Sequence, residues 1–392
     1  MPATAIAAYT AVSALGAGKA AHRQALVAAR CGLRRNDYRV GDDVLPCWIG
    51  RADGLDAVPT PAPDSRLHRL LEHALAQDDF AIALNTAIAR HSAERIALVL
   101  GTSTANIERS EAAYRRLDNG HLPADLADVR LHHLDGPAQW LCARTGIAGP
   151  HWTLSTACSA SAKAFGMAAR LLQADLADAV LVAGADSLCA STLYGFNALE
   201  LVDTQPCRPF DRARAGLSIG EAAALALLCR GGDAPQAPRL LACGESSDAH
   251  HLSAPHPAGA GAAHALDDAL AQCGLDVADF DYLNLHGTGS RQNDSVEAAL
   301  VARRLPHIAA SASKGATGHT LGAAGALEAV LCLLALEYGV LPASVGCADP
   351  EPAIAAQLLR TPQTHPLRRA LSFSFGFGGS NACLALARSD AA

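Results

Sequence analysis

Two stretches of the chain align on each other without a gap: GTSTANIERSEAA from Gly101 and GTGSRQNDSVEAA from Gly287. Each follows a short apolar run. Two further correspondences keep the same order and share an offset of 159 residues (166 to 325, 220 to 379). Gly166 matches Gly325 inside helix-like stretches, and GEAAALAL from Gly220 matches GSNACLAL from Gly379. One such match means little in an alanine-rich chain, but three in the same order imply duplication. A duplicated chain is held to two similar halves. They would part at the turn-rich run Gly231-Gly232-Asp233-Ala234-Pro235, which divides the sequence into residues 1–232 and 233–392.

Strand-like and helix-like patterns alternate along the chain. Ile96–Gly101, Ala179–Gly184, Ala222–Cys229 and Ala382–Ala387 read as buried strands, Ser161–Gln173 and Gly322–Tyr338 as helices. This alternation predicts an α/β protein with largely buried sheets. Half of the 392 residues are hydrophobic and 18% are charged, enough for a large core and unlike a disordered, collagenous or coiled-coil chain. A net charge of −7 argues against a nucleic-acid or membrane-surface partner. No basic start precedes a long apolar core at the N-terminus, and the apolar run Ala329–Leu336 is too short to span a bilayer. A soluble cytoplasmic protein is expected. The twelve cysteines include no C-x-x-C pair, and His132-His133 and His250-His251 lack ligands at metal spacing. Small buried thiols and no metal site are expected.

Four segments carry residues suited to chemistry. Trp152 to Ser161 runs from an extended stretch into a helix and puts Cys158 at the junction. A helix N-terminus offers free N–H groups and positive potential, which favour a thiolate and can hold an oxyanion. A small residue packed where a strand meets a helix would look the same. In Leu283 to Glu297, His286 closes a strand and the glycine-rich turn after it carries Thr288 and Ser290, while Asp294 and Glu297 share a helix face. Taken alone, His286 reads as a core histidine. The third segment, Ser311 to Glu328, places Lys314 and His319 before a helix of small residues. A solvated lysine would fit equally, whereas a buried one needs a carboxylate. The fourth, Ser372 to Asn381, flanks Phe375 and Phe377 with glycines, as an ordinary turn also would.

Together these segments resemble the elongating β-ketoacyl-acyl-carrier-protein synthases of the thiolase-like superfamily, over nearly the whole chain. The motifs that carry the likeness are T-A-C at Cys158, H-G-T-x-S at His286, K-x-x-x-x-H from Lys314 to His319, and G-F-G-G-S-N around Phe377, with Arg208-Pro-Phe-Asp211 and Gly220-Glu221 in support. The resemblance implies a thiolase-like fold, two α/β halves layered α-β-α-β-α, with the nucleophile in the first half and the histidines in the second. It implies that Cys158 takes an acyl group from a carrier phosphopantetheine and that His286 and His319 hydrogen-bond the malonyl thioester oxygen during decarboxylation. Each such donor contributes on the order of 3 kcal/mol. His319 is expected to serve decarboxylation more than acyl loading. The N–H groups of Cys158 and Phe377 would form the oxyanion hole. Lys314 and Glu297 would make a buried pair, Thr288 and Ser290 would hold the pantetheine amides, and Phe375 and Phe377 would flank the entrance, with Phe377 as gate. Thr104, in the Gly101 turn, would influence chain length.

The family's partners follow. No cofactor is bound; phosphopantetheine arrives on an acyl carrier protein, which Arg66 and Arg69, one helical turn apart, would help to dock. A homodimer, or a heterodimer with a related ketosynthase or chain-length factor, is implied. Arg291 stands where the family has proline, Ser380 replaces threonine, and the stretch from Thr192 to Leu201 diverges, departures that point away from housekeeping fatty-acid synthesis and toward a specialised pathway such as polyketide or aryl-polyene assembly. A coenzyme A thiolase is the alternative inside the superfamily, with Cys383 near the place of a second cysteine. A silent chain-length factor would lack the nucleophile, and a cysteine hydrolase would need a G-x-C-x-G elbow that is absent around Cys158.

Overall fold

The computed structural model describes residues 4–391. The elements that frame the core begin with β1 (Thr4–Ser13), α1 (Arg66–Leu75), α2 (Phe80–His91), β2 (Ile96–Gly101), α3 (Gly136–Thr145), β3 (His151–Leu154), α4 (Ala160–Gln173), β4 (Ala179–Asp186) and β5 (Ala222–Arg230), with further helices at Gly18–Val27, Ile107–Arg115 and Ala190–Ala198 between them. They are followed by β6 (Arg239–Ser247), α5 (Ala260–Cys273), β7 (Tyr282–Leu285), α6 (Arg291–Arg304), β8 (Ala309–Ala312), α7 (Ala324–Tyr338), β9 (Arg369–Gly376) and β10 (Ser380–Ala387). Short helices and strands fill the connections.

Hydrogen bonding links these strands in the order β8-β7-β9-β10-β6-β1-β5-β4-β2-β3. The pairing reads alike from either end. The two outer junctions are parallel (β8/β7 and β7/β9; β3/β2 and β2/β4) and the next two antiparallel (β9/β10 and β10/β6; β4/β5 and β5/β1). At the centre β1 and β6 meet through Thr4–Leu240 and Ala5–Arg239.

Side-chain alternation along the strands sorts the core into layers. Val180 and Val182 of β4 face a central core with Phe165 and Leu171 of α4 and Leu327, Val330 and Leu334 of α7. Leu181 of β4, with Leu98 and Leu100 of β2, faces the other way, onto Leu67 and Leu70 of α1, Phe80 of α2 and Leu141 of α3. On the far side Leu283, Leu371 and Phe373 pack against Leu266 of α5 and Leu300 and Val301 of α6. The result is the α-β-α-β-α stack, with α4 and α7 as the middle layer. The span Leu321–Tyr338 is long and apolar enough by composition to cross a membrane, more than the run read from sequence, yet 89% of it is buried inside the protein. It is the core helix.

The helical part of the repeat falls out of register with the sequence match. α4 and α7 each follow a single 3-10 turn, Ala157–Ser159 and Leu321–Ala323, whose first residue has a positive φ (51° and 53°). These landmarks equate Ala157 with Leu321, so Gly166 and Gly325 are not counterparts. Gly325 instead lets α7 approach α4: a Cβ there would lie 2.5 Å from the Ala162 nitrogen. Alanine-rich helices carry too little identity to fix register by sequence.

Close backbone approach also sets the turn that holds Cys158. A Cβ at Gly101, the end of β2, would lie 2.3 Å from the Ser161 Cα in the first turn of α4. We expect Gly101→Ala to cost at least about 1–3 kcal/mol, because backbone rather than a movable side chain must shift. Chemical denaturation measures this, and an unchanged midpoint would contradict the approach.

Candidate active site

Cys158 lies in the 3-10 turn just before α4, 5% exposed. Its Sγ lies 2.9 Å from His319 Nε2, and the backbone N–H groups of Phe377 and of Cys158 itself bear on the sulfur. Burial pushes the thiol up to about 12, against the pull of Lys314 and those N–H groups. The sulfur at rest is therefore a thiol, not the thiolate that a helix terminus alone suggests. A base within reach matters more than the macrodipole, and His319 stands there.

His286 follows β7, and its ring meets that of His319 edge-on at 5.5 Å between centroids. The Lys314 ammonium lies 3.4 Å from His286 Nδ1 and donates to the His286 carbonyl at 2.6 Å. An ammonium only donates, so Nδ1 must offer its lone pair and the ring proton sits on Nε2. His319 Nδ1 is buried with no hydrogen-bond partner among the described residues, which leaves Nε2 as its working atom. Burial, and after it the Lys314 charge, holds both imidazoles well below the ordinary histidine value. Both rings are neutral at neutral pH.

The pairing expected between Lys314 and Glu297 is corrected. Lys314, 1% exposed, pairs with Glu328 of α7, and Ser313 Oγ donates to the same carboxylate oxygen at 3.0 Å. Glu297 of α6 sits behind the histidine turn and accepts the N–H groups of His286 (2.7 Å) and Gly287 (2.8 Å). Burial raises its carboxyl to about 8, while those N–H donors and Lys314 oppose the rise. Glu297 thus shapes the backbone that presents His286, and Glu328 neutralises the lysine. One sequence signal could have found Glu328: of the two carboxylates of α7 it is the one inside the apolar run, where it needs a buried partner, whereas Glu337 sits at the exposed end. Asp294, also buried, accepts from the N–H groups of Phe210, Thr288 and Gly289 and fixes the next part of the turn.

Cys158, His286 and His319 open onto one cavity of about 260 Å³. Thr288 and Ser290 line it with their hydroxyls 3.0 Å apart, and so do Phe375 and Phe377. Phe375 packs on His286 at 5.5 Å, and Phe377 packs on Phe196 at 5.4 Å. Phe196, from the divergent stretch, was not foreseen. Thr104 does not line this cavity, because Asp186 at the end of β4 draws in its N–H (2.9 Å) and hydroxyl (2.7 Å) together with the Thr102 hydroxyl and the Ser103 N–H. Arg66 and Arg69 are not free basic groups. Arg66 forks onto buried Glu221 (Nε–Oε2 2.8 Å) and Arg69 onto Asp64 (2.9 and 2.6 Å), so neither offers an unpaired charge for docking.

Family models for the N-terminal and C-terminal domains of β-ketoacyl synthases match residues 81–234 and 239–348. A 3-oxoacyl-[acyl-carrier-protein] synthase 2 from Rhizobium meliloti (strain 1021) is 30% identical over 407 aligned positions, covering 96% of each chain. The chain belongs to the β-ketoacyl synthase family. A mitochondrial 3-oxoacyl-[acyl-carrier-protein] synthase from Arabidopsis thaliana is 34% identical over 71% of this chain and 63% of that protein. Among solved structures, a ketosynthase in complex with its chain length factor from Xenorhabdus doucetiae superposes with a TM-score of 0.90 at 36% identity, over 99% of this chain and 98% of that one. A β-ketoacyl synthase from Burkholderia phymatum STM815 gives 0.87 at 26%, over 99% of this chain and all of that one. Within this ketosynthase Cys383 is fully buried in the outer core, away from the cavity, so the second thiol a thiolase would use is not at the site.

Proposed function

We propose that this ketosynthase performs decarboxylative Claisen condensation: an acyl group held on Cys158 is joined to malonyl-acyl carrier protein and grows by two carbons. The observation that carries the residue roles is one cavity floor shared by the Cys158 sulfur, His319 Nε2 at 2.9 Å and the His286 ring.

In loading, His319 Nε2 accepts the thiol proton as the sulfur attacks the carrier thioester. The same proton passes to the departing pantetheine sulfur, so the ring ends neutral. In extension His286 Nε2–H hydrogen-bonds the malonyl thioester oxygen, and so does His319 in its other neutral tautomer, with its one ring proton on Nε2 rather than on Nδ1. The bond to the carboxylate breaks, carbon dioxide leaves, and its electron pair stays behind as an enolate on that oxygen. The enolate carbon attacks the Cys158 thioester. The N–H groups of Cys158 and Phe377 hold the tetrahedral oxyanion until the sulfur is expelled and takes up a proton. Lys314 keeps His286 in the required tautomer, and Thr288 and Ser290 bond the pantetheine amides.

The 2.9 Å contact gives His319 a share in loading as well, so the cleaner decarboxylation variant is His286→Ala. It is expected to load acyl groups while losing decarboxylation by roughly 10²–10³-fold, the usual cost of one such donor. His319→Ala is expected to lose both. Intact-mass loading assays and carbon dioxide release separate the two; equal loss of loading in both variants would contradict the division. Because both rings are held neutral, decarboxylation should show no inflection near about 6.5, the ordinary histidine value, and should fall only in more acidic solution. A pH-rate profile breaking at that ordinary value would argue against neutral donors.

The finer reading is a cytoplasmic enzyme of a specialised pathway, polyketide or aryl-polyene, working with an acyl carrier protein and a second ketosynthase-like subunit. Support for the substrate comes from three phenylalanines, Phe196, Phe375 and Phe377, on a cavity in a chain with only eight. Support for the subunit comes from exposed Tyr114, Leu117, Val129 and Leu134, together with strand β3 at the end of the sheet. Acylation from carriers loaded with saturated and conjugated chains tests the substrate; a preference for saturated chains would overturn that part.

A further inference from the structure

The run from His286 to Arg291 climbs from the chemistry to the rim. His286 is 2% exposed and Thr288 7%, Ser290 is half-buried and Arg291 exposed, and all four line the cavity. Arg291 is also firmly seated. Beneath it the buried Arg214, held by Asp294 and Glu351, donates to the Ser290 carbonyl (3.5 Å) and the Arg291 carbonyl (3.1 Å). Arg291 Nε returns a bond to the Arg214 carbonyl at 3.3 Å. That bond uses one guanidinium nitrogen, and among the described residues no carboxylate pairs with the other two. Arg66 and Arg69, by contrast, are fully engaged with Glu221 and Asp64.

We propose that Arg291 anchors the phosphate of the carrier arm. With the thioester at Cys158 and the pantetheine amides on Thr288 and Ser290, the next group outward along this wall is the phosphodiester. A guanidinium with two free terminal nitrogens matches two phosphate oxygens as a fork. Two acids share the cavity. Asp248 is spent on Asn381 Nδ2 (2.9 Å) and the His256 N–H (3.0 Å), whereas Glu200 is exposed and weakens the site by repulsion.

The inference rests on the ketosynthase reading, and its test separates the two. The probes are one acyl group presented as a pantetheine thioester and as a 4′-phosphopantetheine thioester, with acylation of Cys158 followed by intact mass. In the wild type the phosphorylated donor is expected to react roughly fivefold more efficiently, an exposed charge pair's range, with the advantage shrinking as salt rises. Arg291→Ala should bring the ratio to near one, Arg291→Lys should keep part of it, and Glu200→Gln should enlarge it. A ratio near one in the wild type, or one unchanged in Arg291→Ala, overturns the proposal. So does a loss seen only with donors on the carrier protein, which would assign Arg291 to the carrier's acidic surface. No acylation of Cys158 by either donor would sink the ketosynthase reading and the anchor with it.

Discussion

Cys158→Ala is expected to leave no acyl-enzyme: intact mass should show one acyl adduct on the wild type and none on the variant. The loss in condensation should exceed roughly 10³-fold, since among the described residues no second thiol lines the cavity and a missing nucleophile disables the whole unit. The same variant keeps His286, His319 and the Lys314 charge, so it should still release carbon dioxide from malonyl-carrier. An adduct of equal mass on Cys158→Ala would falsify the assignment. The thiol's position makes this a test of proton transfer as well as of identity. At about 12 the sulfur is almost wholly protonated near neutrality, so its reactivity depends on His319 at 2.9 Å.

Glu328→Ala is expected to destabilise the protein by about 3–5 kcal/mol, the cost of stranding a buried charge. Lys314 sits 1% exposed among small neutral residues, and loss of the carboxylate leaves its ammonium with the His286 carbonyl and ring only. Glu297→Ala removes an acceptor from two buried N–H groups and should cost a comparable amount, about 1–3 kcal/mol for each group left unpaired. The double variant Lys314→Ala with Glu328→Ala should lose less than the sum of the single losses, because the two charges need each other. Urea denaturation at constant slope measures the losses. If Lys314→Ala offset the loss in Glu297→Ala and not that in Glu328→Ala, Glu297 and not Glu328 would be the lysine's partner.

Much of the fold was legible because its signals are local. Ile96–Gly101 and Ala222–Cys229 are apolar runs bounded by turns, and they became β2 and β5 within a residue. The strand-to-helix position of Cys158 followed from the same boundaries. The helix register of the repeat was not legible, since the two helices share little beyond scattered alanines, five of 14 residues in α4 and four of 15 in α7, which match in several registers. The positive φ at Ala157 and Leu321, which marks the true correspondence, leaves no residue signature. Arg66 shows a related limit. Its spacing from Arg69 along α1 was right, but that its guanidinium meets Glu221, 155 residues away, is a property of packing, whereas the Asp64 that holds Arg69 lies only five residues before it.

The order of T-A-C, H-G-T and the Lys314–His319 run was enough to mark the family resemblance, and through it the reaction class, and to nominate Cys158, His286 and His319 as reacting side chains, because each motif is a short local run that survives whatever encloses it. Only the tertiary structure decided which charges meet. The resemblance pairs Lys314 with Glu297, and the pairing with Glu328 instead came from which helix faces the lysine across a dry interior. In such a medium a displacement of a few ångströms separates an ion pair from a stranded charge.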